Sequence, residues 1–189
     1  MWILATEVDS GGFQSIIWRD TMLPKQEVRM YVSSLKEYLD KHNVQYIVIS
    51  HSPAYTAQGI AALTHIPGKE LAKTVIIKLD GKLVMAVLPA LFHVDLGLLK
   101  EATKAKSVEL ASEDDFKDQF PECETGAMPP FGNLYGIDVF ADTSLAKDKE
   151  IAFNAGSHRE LIRLGWEDFE RLVKPKMISF STGRAAEAA

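Results

Sequence analysis

A single cysteine, Cys123, in 189 residues excludes an internal disulfide and a cysteine-rich zinc site, and suits a reducing compartment. There is no Gly-x-Ser-x-Gly elbow, no Walker loop, no Gly-x-Gly-x-x-Gly fingerprint and no His-Glu-x-x-His pair. The enzyme classes built on those devices are therefore set aside. No run approaches the roughly 20 apolar residues of a membrane span. Acidic Glu7 and Asp9 stand where a signal peptide would be basic. A soluble cytoplasmic protein with no membrane partner is expected.

What is present is the composition of a globular domain, 47% hydrophobic and 25% charged. The net charge of −5 argues against a general nucleic-acid binder, yet it is unevenly spread. Residues 41–100 hold six Lys/Arg against three Asp/Glu, and residues 101–150 hold five against twelve. A basic segment of this kind is able to meet a phosphate-bearing ligand locally, although charge counts along a chain say little about surfaces.

Residues 1–21 show no clear period and read as an N-terminal extension. A single domain is expected over 22–178, with a tail over 179–189. Val28, Tyr31, Val32, Leu35, Tyr38 and Leu39 keep helical spacing, and Val44 to Ile49 reads as a strand. Thr56 is placed to cap a helix through Leu63. Lys73–Leu79 and Lys82–Leu88 flank Asp80-Gly81, a pair that favours a type I′ hairpin turn. Val84 to Leu88, apolar on both faces, predicts a central strand. Helices are expected from Asp95 through Ala102, from Ser112 through Phe120 and over Asp168–Val173. Further strands are expected at Val108–Leu110, Leu134–Phe140, Ile151–Asn154 and Glu160–Leu164. The fold class is mixed α+β around one substantially antiparallel sheet.

Three segments carry polar groups that are able to do chemistry. Lys73 opens an apolar strand, either as a fixed cation for a phosphate or carboxylate or as a snorkelling surface lysine. Gly126-Ala127-Met128-Pro129-Pro130 is either a stiffened loop whose remaining amides are free to polarise a carbonyl or a plain turn. Asn154 to Arg159 is a polar connection between strands that either lines a pocket or simply joins a hairpin. His93 and Asp95 share a strand face that a metal would need, or sit beside a helix cap. Cys123, flanked by Glu122 and Glu124, reads as inert.

In this order and spacing, the segments resemble the YbaK/prolyl-tRNA-synthetase-associated editing domain over about Leu35 to Val173. The resemblance rests on Ala72-Lys73-Thr74-Val75 with its Asp-Gly hairpin, the Gly-x-x-x-Pro loop Gly126 to Pro130, and Asn154-Ala155-Gly156. His51-Ser52-Pro53-Ala54-Tyr55-Thr56-Ala57 adds to it. It implies a curved, barrel-like sheet flanked by helices, and hydrolysis of the ester joining a wrong, small amino acid to tRNA by a free-standing protein working in trans. No cofactor and no metal are implied. The partner is the aminoacyl-tRNA acceptor end, with an aminoacyl-tRNA synthetase or elongation factor as a further candidate; no oligomeric state is implied.

By carry-over, Lys73 anchors the aminoacyl-adenosine end, and Gly126 to Pro130 seat the ester carbonyl and a water assisted by the terminal ribose hydroxyl. Asn154, Gly156, Ser157 and His158 form the opposite wall, and His51, Tyr55, Thr56 and His65 lie on the substrate side. All are expected around one cleft sized for an esterified nucleoside. Many family members carry Ser where Asn154 stands and a basic pair where Ser157-His158 stands. A non-catalytic binding module with the same fold, and a metal-dependent hydrolase using His93 and Asp95, are the competing readings.

Overall fold

The computed structural model describes residues 35–54, 57–64 and 66–183. In chain order the elements are α1 (Leu35–Lys41), β1 (Tyr46–Ser50), α2 (Ala57–Thr64), β2 (Ala72–Leu79), β3 (Lys82–Pro89) and β4 (Phe92–Val94). Then follow α3 (Leu96–Thr103), β5 (Val108–Leu110), α4 (Glu113–Phe116), β6 (Asp138–Asp142), β7 (Glu150–Asn154) and β8 (Glu160–Gly165). The last are α5 (Trp166–Val173), β9 (Lys176–Ile178) and β10 (Ser181–Gly183).

Local chemistry sets several of these boundaries. Asp80 and Gly81 both take positive φ, 49° and 81°, as a type I′ turn requires, and β2 and β3 pair in register from Leu79↔Lys82 to Ala72↔Pro89. The Asp95 carboxylate caps α3 by accepting from the Gly97 and Leu98 amides at 2.9 and 3.0 Å. Ser112 and Asp115 form a reciprocal capping box on α4. That helix ends at Phe116, short of the expected Phe120. The strand expected from Leu134 begins only at Asp138, because Gly132–Leu134 is a 3-10 turn and Gly136 takes φ 68°.

The strands form three sheets rather than one, ordered β1-β8-β7, β10-β4 and β5-β2-β3-β6-β9. Five of the seven strand pairings are antiparallel; β3–β6 and β6–β9 are parallel, joined by long crossovers. The expected barrel-like curvature does not become a barrel: the five-stranded sheet ends on the three-residue strands β5 and β9, which do not pair with each other. The mixed α+β class stands, and β3 is the buried central strand.

Period-two alternation sorts the core into compartments. Ala72, Ile76, Met85, Val87, Val139 and Ala141 face the main core, where they meet Ile151, Phe153, Ile162 and Leu164 of the other sheet. α5 closes this core with Trp166, Phe169 and Val173, and Phe169 lies edge-on to Phe131 at 5.6 Å between centroids. Burial of each such ring is worth about 2–3 kcal/mol. The opposite face of the five-stranded sheet (Ile77, Val84, Ala86, Leu88 and Phe140) covers Leu99 of α3 and Phe180. Phe180 is fully buried, and β10 beyond it pairs with β4. A smaller cluster, including Ile60, Leu71, Ala90, Ala152 and Leu161, sits on the outer face of β7 and β8. A parallel bridge, Leu71↔Ala152, ties the two larger sheets together there.

Candidate active site

The start of β2 reaches both larger sheets. Leu71 O accepts from the Ala90 amide at 2.6 Å, and Glu70 O accepts from the Ala152 amide at 2.9 Å. Just past this joint the side chains turn polar. Lys73 is half-buried, paired across the ladder with Leu88, and makes no hydrogen bond or ion pair among the described residues. Burial pushes its ammonium group below the ordinary lysine range, because the charged form loses hydration without gaining a partner.

Opposite stands Asn154, the last residue of β7. Its backbone is held in register with Leu161, and alternation puts its side chain on the same face as Ala152, toward the small cluster. The carboxamide Oδ1 is buried and has no hydrogen-bond partner among the described residues. A buried acceptor of this kind costs about 1–3 kcal/mol unless something donates to it.

The Gly126 loop and the Asn154–His158 turn are held together by four cross-links. Gly156 N–H donates to Ala127 O at 3.0 Å, and Glu124 N–H donates to Gly156 O at 2.8 Å. The His158 amide donates to Glu124 Oε2 at 2.7 Å, and its Nε2–H donates to Thr125 O at 2.9 Å. Both glycines need their conformation, φ +86° at Gly126 and +96° at Gly156. The Ala127 amide is engaged by Glu124 O, whereas the Gly126 amide faces only the Met128 sulfur at 3.3 Å, a weak acceptor. Gly126 N–H is thus the loop donor a stronger acceptor would capture.

These groups meet in one cavity of about 160 Å³, lined by Ile60, Leu71, Ala72, Lys73, Thr74, Ala90, Gly126, Asn154 and His158. Four of the residues expected from the sequence, Lys73, Gly126, Asn154 and His158, are in its wall. Pro130 is buried and stands behind the loop, outside the wall, as do Gly156 and Ser157, whose Oγ accepts from the Arg159 amide at 3.4 Å. His51 runs beside the turn through its amide bond to Arg159 O at 2.9 Å, with Nδ1 donating to Ser52 O, but does not line the cavity. Tyr55, Thr56 and His65 lie outside the described residues. The volume is below the roughly 300 Å³ at which small-molecule pockets begin.

Sequence reasoning missed the apolar half of the wall. Ile60 of α2, Ala72 of β2, and Leu71 and Ala90 just outside the strands are ordinary apolar residues with no signal beyond their place beside Lys73 in the fold. It also missed Glu124 and Thr125, the polar partners of His158. Elsewhere, Asp95 serves as a helix cap, and among the described residues no group of three or more His, Cys, Asp or Glu is arranged to hold a metal ion. Burial pushes the Cys123 thiol up, with Tyr135 Oη 3.5 Å away.

Comparison with known proteins defines the class. Residues 51–172 match the family described as the aminoacyl-tRNA editing domain, and the chain belongs to that family. Among individual relatives, it is 26% identical over 147 residues to the multifunctional Ser/Thr-tRNA deacylase ProXp-y of Escherichia coli (strain K12), covering 75% of this chain and 87% of that one. It is 30% identical over 87 residues to the proline–tRNA ligase of Bacillus mycoides (strain KBAB4), covering 46% of this chain and 15% of the ligase. A solved structure described as a candidate trans-editing enzyme for prolyl tRNA synthetase shares the fold, with a TM-score of 0.69 at 16% identity. It is matched over 82% of this chain and 97% of that chain. No helix among the described residues is long and apolar enough to cross a membrane.

Proposed function

We propose that this chain is a trans-acting deacylase that hydrolyses the ester between a small amino acid and the 3′ end of a mischarged tRNA in the cytoplasm. The observation that carries the reading is the cavity itself. Among the described residues, a cation without an acceptor and a buried acceptor without a donor line one chamber with an aliphatic side, and Gly126, whose amide meets only a thioether sulfur, lines it as well. The ProXp-y relative, named for Ser/Thr-tRNA, supports serine or threonine among the small amino acids removed.

An aminoacyl ester is already activated, so the demand on the protein is to position a water and to stabilise charge. The water oxygen attacks the ester carbonyl, whose oxygen becomes the oxyanion of a tetrahedral intermediate. Lys73 Nζ and Gly126 N–H are the donors for that charge. Collapse breaks the bond to the ribose oxygen, which takes up a proton, with the neighbouring ribose hydroxyl assisting the water; free amino acid and tRNA leave. A chamber of this size excludes larger side chains by volume, the economical form of a second sieve.

The editing unit is taken as residues 22–178 together with the β10 segment. The acceptor end of tRNA is its partner, with a synthetase or elongation factor delivering it. The test is a panel of one tRNA charged with alanine, serine, threonine, cysteine or proline. Release of one or more small amino acids, well above the buffer rate, is expected. An intact panel would remove the deacylase reading, and salt-sensitive capture without release would assign a binding module instead.

A further inference from the structure

Two unpaired groups in the cavity wall are complementary to each other yet unbonded. Among the described residues, Lys73 offers N–H donors and has no acceptor, and Asn154 Oδ1 is a buried acceptor and has no donor. A buried polar atom left this way requires an explanation. The rest of the wall is aliphatic on one side, Ile60, Leu71, Ala72 and Ala90, and is completed by Thr74, Gly126 and His158, whose Nε2–H is already committed to Thr125 O. The ligand that satisfies such a chamber must carry an acceptor facing one side, a donor facing the other and a small apolar body between. An aminoacyl ester has that order of groups, with the carbonyl oxygen as acceptor, the α-ammonium as donor and the side chain as the body.

We propose that Asn154 Oδ1 accepts a hydrogen bond from the α-ammonium of the esterified amino acid, making Asn154 the residue by which this site requires a free amino group. The assignment rests on the deacylase reading for its substrate and adds to it a specificity that the reading does not contain. It follows from the sign of the groups. Lys73 repels an ammonium, so the ligand's cationic end is directed to the neutral acceptor and its carbonyl end to the lysine. Strand pairing with Leu161 fixes the Asn154 backbone, so the oxygen is preset rather than recruited.

A side-chain hydroxyl is the other donor that a small amino acid could bring to Oδ1, and the experiment separates the two. Binding is measured by calorimetry with three non-hydrolysable probes in which an amide replaces the ester: 3′-alanylamino-, 3′-serylamino- and 3′-propionylamino-3′-deoxyadenosine. The propionyl probe matches the alanyl probe in shape and lacks the amine. Wild-type protein is expected to prefer the alanyl over the propionyl probe by about tenfold or more, the worth of a hydrogen bond to a charged donor. Asn154→Ala is expected to lose that preference while binding the propionyl probe as wild type does, and Asn154→Asp, which keeps the acceptor, to retain it.

Equal affinity of wild type for the alanyl and propionyl probes overturns the proposal. So does a parallel loss for both probes in Asn154→Ala, which marks a structural role, or a loss confined to the seryl probe, which assigns the oxygen to a hydroxyl. Because no turnover is needed, these outcomes stand apart from the deacylation panel. Amine-dependent binding without hydrolysis would sink the enzyme reading alone, and hydrolysis without amine dependence would sink this one alone.

Discussion

His158 Nε2–H donates to the carbonyl oxygen of Thr125 at 2.9 Å, tying the turn after β7 to the residue before Gly126. The same histidine's amide donates to Glu124 Oε2. One residue thereby fixes a loop 33 positions earlier in the chain at two points. Gly126 is thereby held in the cavity wall, although the loop has no regular secondary structure of its own.

Gly126→Ala tests that placement. A Cβ there would lie 3.6 Å from His158 Cε1, an ordinary contact, so space is not the obstacle. The obstacle is φ +86°, which costs a non-glycine residue about 1–2 kcal/mol. The variant is expected to fold with a modestly lowered Tm and to lose deacylation by more than tenfold as the amide swings away. Full activity at a lowered Tm would remove the loop amide from the mechanism.

Lys73→Met separates chemistry from stability. The half-buried ammonium has lost hydration and has no partner, so its replacement by an apolar chain of similar length should leave Tm unchanged or raised while abolishing most release. The lysine's folded pKa lies below its ordinary value of 10.5. Its charged form therefore opposes folding at low pH, and that opposition is relieved as pH rises through the folded pKa. Enzymatic release, corrected for buffer hydrolysis, should accordingly decline on the alkaline side before pH 10.5. A Met variant as active as wild type would rule out Lys73 as the cation of the site.

Asp142→Ala probes the far end of the fold. Asp142 is 3% exposed and accepts from Ser144 through Oδ1 and from the Phe180 and Ser181 amides and Ser181 Oγ through Oδ2. Burial pushes its carboxyl up, but the hydrogen bonds from Ser144, Ser181 and Phe180 outweigh it and hold the pKa below 3.8. Loss of the carboxylate is expected to cost about 3 kcal/mol in chemical denaturation at neutral pH. The contribution is present above pH 3.8 and is lost as pH falls through the folded pKa, so the gap between variant and wild type should close in acid. A gap independent of pH would show that packing, not ionisation, is what the carboxylate supplies.

Cys123→Ser should leave release within about twofold of wild type, and iodoacetamide should label the native thiol slowly at neutral pH. Burial and the absence of a nearby cation keep the thiol protonated. Rapid labelling accompanied by loss of activity would contradict this.

The parts of the fold governed by neighbouring residues were legible in the sequence. Asp80-Gly81 defined a hairpin, Asp95 and Ser112–Asp115 marked helix starts, and the two-sided apolarity of Val84 to Leu88 marked a central strand. Non-local pairing was not legible. Nothing in Leu134 to Phe140 announces that β6 lies parallel to β3, because the partner is more than fifty residues earlier in the chain. For the candidate site, Lys73, Gly126, Asn154 and His158 were reached through the ordered set of segments that resembles the editing domain, since each segment alone has an ordinary structural explanation. Ile60, Leu71 and Ala90 were not, since an aliphatic side chain beside a ligand is chemically the same as one in a core. Pro130 is buried and is not among the residues that line the chamber.

Because Leu71 and Ala152 bridge the two larger sheets beside a floor that includes Ala72 and Ala90, the room available to a guest is set by methyl groups at a structural joint. On the proposed reading, a larger residue at Ala90 would narrow the chamber from a position apart in the chain from Lys73, Gly126 and Asn154. The size of side chain admitted would then be separable from the groups proposed to act on the ester, and a lineage could retune one while leaving the other intact.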